Sequence, residues 1–238
     1  MEAGRIADTY AGYRARLVER LREQGIGDLA VLRAFGETPR HLFIPEALRE
    51  RGYEDTALPI GRGQTISRPL THAISLAALS LRGRERVLEV GTGSGYQAAL
   101  LSHLVAQVFT IERLTQLADR AREGLARAGA RNVTVLVGDG SLGWRPYAPY
   151  DAIVVSAAAP SVPRPLLDQL ADGGRLLMPL GDRESQELVR ITRRGSAFND
   201  ERLSAASFVP LVGRHGVSDV RYPMSDVRET PDPGHSDI

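Results

Sequence analysis

An α/β fold built on a doubly wound parallel sheet is predicted by three observations. The apolar run Val87 to Val90 carries an acid, Glu89, and then breaks into glycines at alternate positions, Gly91, Gly93 and Gly95. Strand-length and helix-length apolar segments alternate from Arg86 onward, as the strands and crossover helices of a parallel sheet do. The length of 238 residues suits one such domain with appended elements and not two full ones.

Taken in order, Tyr10, Tyr13, Leu17 and Leu21 recur at three- and four-residue steps within Ile6 to Leu21, the pattern of an amphipathic helix that Gly25 and Gly27 end. Asp28 is a natural N-cap for a short helix carrying Leu29, Val31, Leu32 and Phe35, and Pro39 stops it. A short helical piece runs to Arg51. Ala57 to Pro69 is rich in Pro, Gly, Ser and Thr and reads as a structured loop. Pro69 suits the first turn of a helix whose buried face is Ala73, Ile74, Leu76, Ala77 and Leu79.

The alternation then gives strand Val87 to Val90, helix Gln97 to Leu104, strand Val108 to Ile111, helix Leu114 to Ala128, and strands Val133 to Val137 and Ala152 to Val155. Helix Pro163 to Leu170 and strand Gly174 to Pro179 follow. Glu187 to Thr192 and Ala206 to Leu211 read as an antiparallel hairpin that closes a seven-strand sheet. Beyond Gly213 the chain is polar, with Pro223, Pro231 and Pro233 and the tetrapeptide Ser-Asp-Val-Arg at Ser218 and Ser225, and it reads as a tail with little burial. The expected organisation is one globular unit: N-terminal helices and a loop over residues 1–82, an α/β core over 83–212, and a tail over 213–238.

The glycine turn narrows the ligand. Glycines at alternate positions allow positive φ and leave no Cβ between the backbone and what docks on it. A dinucleotide fingerprint wants its third glycine at the sixth position, where Tyr96 stands. An acid before the first glycine and a second, Glu112, closing the next strand suit a ligand with an amine and a ribose instead. The run VLEVGTGSGY resembles the AdoMet-binding motif of class I methyltransferases, which implies a Rossmann-like sheet. Glu112 would then accept the ribose hydroxyls, or else cap the helix from Leu114. Asp139 of Gly138-Asp139-Gly140-Ser141 would accept from an adenine amine, or else form a plain turn. Ser156 to Pro160 lacks the Asp/Asn-Pro-Pro-aromatic motif of amine and base methyltransferases. Its alanines make either a smooth wall that argues against an amino acceptor, or simple packing.

The acceptor is suggested by Ile60 to Pro69, IGRGQTISRP, with His72 beyond it. This loop resembles the signature loop of protein-L-isoaspartate (D-aspartate) O-methyltransferases. PRHLFIPEA, GDGSLGW, PYDAIVVSAAAP, DGGRLLMPLG and FVPLV follow the same family order across roughly Val18 to Val212. The resemblance implies a repair enzyme that methylates isoaspartyl residues in proteins and peptides, the ester collapsing to a succinimide. It implies Ser67 as the catalytic residue, with Gly63, Gln64, Thr65, Ile66, Ser67, His72 and Val212 binding substrate. Glu89, Gly91, Thr92, Gly93, Ser94, Gly95, Glu112, Asp139 and Gly140 would hold AdoMet. Read on their own, Ser67 is also a natural N-cap before Pro69, and His72 sits as a core histidine would.

The chemistry agrees with the residue inventory. A carboxylate with a free pKa near ~4 is already an anion at neutral pH and needs no general base. Methyl transfer is an in-line displacement, and near-attack alignment alone contributes roughly 7–11 kcal/mol. Thus no base pair need stand out, and the five histidines show no metal-ligand spacing. A net charge of +1, from 30 basic and 29 acidic residues, gives no field that selects nucleic acid or an anionic membrane. The absence of cysteine excludes disulfides and thiolate chemistry and fits a reducing compartment. With no apolar run of membrane length and no signal-type segment, a cytoplasmic monomer is expected.

Overall fold

A computed structural model of the chain describes residues 9–182 and 184–217. The N-terminal segment holds helix α1 (Ala11–Glu23) and helix α2 (Leu29–Glu37), followed by short 3-10 turns over Arg40–Phe43 and Glu46–Arg51. Residues 6–8 of the expected first helix lie outside the described residues. Asp28 caps α2 as its sequence position predicts, its carboxylate accepting from the Ala30 and Val31 amides at 2.9 and 3.1 Å. Leu29 departs from the pattern: it is exposed, while Val31, Leu32 and Phe35 are buried. The face that α2 turns inward begins one residue after the cap.

The segment read as an irregular loop contains a small hairpin, strands β1 (Leu58–Gly61) and β2 (Gln64–Ile66). Its turn is Arg62-Gly63, both at positive φ (54° and 67°). With only three or four residues per strand and a glycine in β1, no period-2 pattern was long enough to read. Helix α3 (Pro69–Leu79) follows and buries Ala73, Leu76 and Leu79.

The central sheet has seven strands in the order β5-β4-β3-β6-β7-β8-β9, with β3 (Arg86–Val90), β4 (Gln107–Glu112), β5 (Val133–Val137), β6 (Tyr150–Val155) and β7 (Leu170–Gly181) parallel. Helices α4 (Tyr96–Ser102), α5 (Thr115–Ala128) and α6 (Arg164–Asp168) are the crossovers, and β8 (Gln186–Arg194) and β9 (Ala197–Ala206) add antiparallel to the far edge. The chain leaves β3 toward β4 on one side, and β6 pairs with β3 on the other. The crevice at the carboxyl end of β3 is therefore the topological switch point, where such sheets bind ligands.

Two boundaries move. The last strand is Ala197–Ala206 and not Ala206 to Leu211. It is an edge strand with most positions exposed, so its apolar signal is weaker than that of the segment after it. Residues 207–212 instead run alongside 156–159, with Ala158 N–H donating to Val209 O at 2.8 Å and Leu211 N–H donating to Ala158 O at 2.7 Å. Helix α6 ends at Asp168, since Leu170 already belongs to β7.

One core cluster joins Leu17, Leu21, Val31 and Phe35 of the first two helices to Leu76, Leu100, Leu101 and Val108 around the sheet. The other face of the sheet has its own cluster, including Leu88, Ile111, Ile153 and Met178. The chain remains packed past Gly213 as far as Val217, whose N–H donates to Leu211 O at 2.8 Å. The rest of the expected tail, with both Ser-Asp-Val-Arg tetrapeptides, lies outside the described residues.

Candidate active site

The switch-point crevice is a cavity whose floor is the turn after β3. Gly91 (φ 94°), Gly93 (φ 53°) and Gly95 (φ 88°) all take left-handed backbone, which explains the alternate glycines. Gly91 N–H donates to Ile111 O at 2.9 Å and Gly95 N–H to Thr92 O at 2.8 Å, which fixes the turn against β4. Beneath it, Thr92 and Thr110 hydroxyls meet at 2.6 Å, and Thr110 donates to Glu89 Oε2 at 2.5 Å.

Of the residues singled out from sequence, Gln64, Thr65, Ile66, Ser67, His72, Glu89, Gly91, Thr92, Gly93, Ser94, Glu112, Gly140 and Val212 line this cavity. Three do not. Gly63 forms the exposed hairpin turn, and Gly95 caps α4, where an added Cβ would stand 3.0 Å from Ala121 Cβ. Asp139 is engaged by its own neighbours: its Oδ1 accepts from the Ser141 amide and hydroxyl at 2.9 and 2.7 Å, and its Oδ2 from Arg214 N–H at 2.7 Å. The structure thus shows Asp139 fastening the chain after Gly213.

Glu112 combines both readings of it. Its Oε2 accepts from Gly93 N–H at 2.9 Å and its Oε1 from Leu114 N–H at 3.0 Å, so it ties the glycine turn to the start of α5 while remaining buried. Each oxygen keeps a further lone pair for a hydroxyl donor. Burial raises the pKa of Glu112, and burial raises that of Glu89 to about 8, against the lowering effect of its Thr110 and Gln97 hydrogen bonds. Two buried acids at one cavity, in a floor with no Cβ at Gly91 and Gly93, match a ligand that brings cationic groups and vicinal hydroxyls. AdoMet is such a ligand, and these residues fit it.

Ser67 comes from the hairpin side. The N-cap of α3 is Arg68, with no side-chain cap bond, and the Leu70 N–H is taken by Asp55 Oδ1 at 2.9 Å. Ser67 is therefore not used as a helix cap. Its carbonyl accepts from Nη2 of the fully buried Arg40 at 2.8 Å, and Arg40 Nε donates to Gly52 O at 2.7 Å. Across the hairpin, Arg120 Nη1 donates to Ile60 O at 3.2 Å, and a Cβ on Gly93 would touch Ile60 Cδ1 at 3.5 Å. The loop is thus folded onto the glycine turn. Residues 209–212 close the remaining wall.

Arg40, Gln97, Ser156 and the 209–211 strip were not assigned to the site by sequence reasoning. Gln97 alone had a local signal, a lone amide inside the apolar stretch Tyr96 to Leu101. His72, also buried, bonds through Nδ1 to Gln97 Oε1 at 2.9 Å.

Known proteins are similar to this chain over most of its length. The sequence profile of the protein-L-isoaspartate(D-aspartate) O-methyltransferase family (PCMT) matches residues 13–216. A Protein-L-isoaspartate O-methyltransferase of Methanoculleus marisnigri is 53% identical over 211 residues, covering 88% of this chain and 96% of that one. The protein of the same name from Roseiflexus sp. is 49% identical over 214 residues, covering 90% and 98%. A crystal structure of a Plasmodium falciparum protein described as a member of this methyltransferase group, in complex with S-adenosyl-L-homocysteine, superposes with a TM-score of 0.74 at 28% identity, covering 84% of this chain and 98% of that one. The chain belongs to the protein-L-isoaspartate(D-aspartate) O-methyltransferase family.

Proposed function

We propose that the chain esterifies the free carboxylate of L-isoaspartyl residues in damaged proteins and peptides, with Thr65 to Ser67 orienting that carboxylate and the turn from Glu89 to Ser94, with Glu112 and Gly140, holding AdoMet. The observation that carries this reading is the meeting of two independent segments at one cavity: the Ser67 hairpin edge and the Gly91 to Ser94 turn. AdoMet, when bound, supplies an electrophilic methyl on a sulfonium. The protein's own part is alignment and exclusion of water. Ser67 O–H, unused as a cap, is available to donate to one carboxylate oxygen, leaving the other to face the methyl donor. Arg40 holds the Ser67 main chain from behind, so the hydroxyl presents from a fixed backbone. No general base is required because the acceptor is already anionic.

In this reading the chain acts as a cytoplasmic monomer; among the described residues no helix is long and apolar enough to cross a membrane. The decisive measurement compares methyl incorporation into an isoaspartyl peptide with that into its aspartyl twin. Ester on the isoaspartyl form alone is expected. Preference for the aspartyl form would reassign the enzyme to forming an aspartimide in a dedicated peptide.

A further inference from the structure

Gln97, in the first turn of α4, is 5% exposed and lies under both halves of the cavity. Its Nε2 donates to Glu89 Oε1 at 3.0 Å and to Ser156 Oγ at 2.9 Å, which uses both amide protons. With Glu89 ionised, the form a bound cationic ligand favours, rotating the amide end for end would set its carbonyl against the carboxylate, acceptor facing acceptor, so chemistry fixes its orientation in the AdoMet-bound chain. Oε1 therefore faces His72 Nδ1 at 2.9 Å, and a carbonyl oxygen only accepts. That bond requires the ring proton on Nδ1, and it leaves Nε2, which is buried without a hydrogen-bond partner, as the bare nitrogen.

Burial and the Arg40 charge oppose a second proton on the ring. Tyr96 packs edge-on against His72 at 5.5 Å between centroids, and the Arg40 guanidinium sits over the Tyr96 ring at 4.6 Å. Burial and the Arg40 charge push His72 down to about 3. Glu89, which would favour a charged ring, is reached only through the Gln97 amide.

We propose that Gln97 is a positioning residue: by committing its amide protons to Glu89 and Ser156 it offers His72 an acceptor alone, and so holds in the Nδ1–H tautomer an imidazole that burial and the Arg40 charge keep uncharged beside the methyl-accepting carboxylate. The catalytic consequence rests on the functional reading above. An imidazolium at this place would pair with the acceptor carboxylate and weaken it as a nucleophile, and would repel a cationic methyl donor. Gln97 thereby links the acid under the donor site to the ring beside the acceptor.

The test uses nitrogen-15 NMR of the AdoMet-bound full chain, in which Glu89 is ionised, with His72 assigned through His72→Gln, alongside kcat for an isoaspartyl peptide at saturating AdoMet. In the wild type the His72 ring is expected to show one tautomer, protonated at Nδ1, and not to titrate between about pH 5 and 8, the range in which histidines usually charge. Gln97→Glu sets a carboxylate against Nδ1. The ring should then charge within that range, and kcat should fall roughly tenfold per pH unit below the new His72 value while the wild-type kcat stays level. Gln97→Met, which keeps the bulk without the amide, should give mixed tautomers and carries the test if the glutamate variant does not fold. An Nε2–H tautomer or a titrating His72 in the wild type would overturn the proposal. So would a charged His72 in Gln97→Glu with an unchanged kcat profile. If the wild type fails to methylate the isoaspartyl peptide at all, the functional reading falls, while the NMR result still decides the tautomer.

Discussion

Ser67, Arg40 and Glu89 show how much of the chemistry is settled by single side chains and the groups around them. Because Asp55 takes the Leu70 amide, the Ser67 hydroxyl can be removed without uncapping α3. Ser67→Ala is therefore expected to lower kcat roughly 10²-fold, the scale of losing one oriented donor, while calorimetry shows AdoMet affinity within about twofold of wild type. Equal losses in both would remove the role assigned to Ser67. Arg40 is a different case, a buried cation whose bonds go to the Gly52 and Ser67 carbonyls at 2.7 and 2.8 Å. Arg40→Met strands both carbonyls, so urea unfolding should show a loss of about 2–4 kcal/mol, and KM for peptide should rise as the Ser67 backbone loosens. Glu89, raised to about 8 by burial, holds a proton in the ligand-free chain at neutral pH. A cationic ligand favours its ionised form, so AdoMet binding should release a proton at pH 7, and affinity should strengthen as pH rises toward about 8 and then level. Calorimetry in buffers of different ionisation heat measures that proton, and pH-independent binding with no release would contradict the assignment.

At the scale of elements, the glycine turn serves two functions that the sequence presents as one motif. Gly91 and Gly93 make a thin cavity floor, whereas Gly95 lets α5 approach α4, its absent Cβ being 3.0 Å from Ala121 Cβ and 3.3 Å from Ala121 Cα. Gly95→Ala meets both this contact and a φ of 88°, and should destabilise the fold by about 1–3 kcal/mol, read as a lower midpoint in thermal unfolding. The same division appears in the hairpin. Arg62 Nε on Gln116 Oε1 at 2.7 Å and Arg120 on the Ile60 carbonyl bind β1 and β2 to α5, so the loop that carries Ser67 is held in place by the helix that follows Glu112. Opposite it, Asp139 and Ser141 fasten the backbone of Arg214 and His215, and an added Cβ at Gly213 would collide with Asp139 Oδ1. The wall of residues 209–212 is thus anchored at both ends, by Ala158 before it and Asp139 after it.

The whole molecule registers these buried groups as pH dependence of stability. Glu89 has its folded value raised from 4.5 to about 8, so the native state retains a proton that the unfolded chain has lost, and stability falls as pH rises through that window. Glu112 is shifted in the same direction. His72 has its folded value lowered from 6.5 to about 3, so stability also falls as pH drops below 6.5. The two slopes oppose each other between 4.5 and 6.5, and only the acids act above that. The ligand-free chain should therefore be most stable in that interval and lose stability toward pH 8. Glu89→Gln should flatten the decline. Denaturant melts at a series of pH values check both, and an undiminished decline in the variant would place its source elsewhere.

What could be read from the sequence was what is encoded locally. The sheet was legible because strands buried on both faces, such as Val87 to Val90 and Val108 to Ile111, read as short, mostly apolar runs, and because positive φ at three alternate positions of one turn demands glycines there. Pro69 and Asp28 announced helix starts for similarly local reasons. Composition and family resemblance supplied the class of acceptor. Tertiary structure decided what depends on partners far along the chain. Asp139 contacts Arg214, Arg40 contacts Ser67 and Gln97 contacts Ser156, separations of 75, 27 and 59 residues that no periodicity records. The edge strand β9 was missed because an exposed strand needs little apolar signal, and the apolar stretch after it serves as cavity wall instead. Even His72, visible from the start, gained its tautomer only from the direction in which Gln97 must point, because a hydrogen bond's polarity is fixed by the whole network and not by either residue alone.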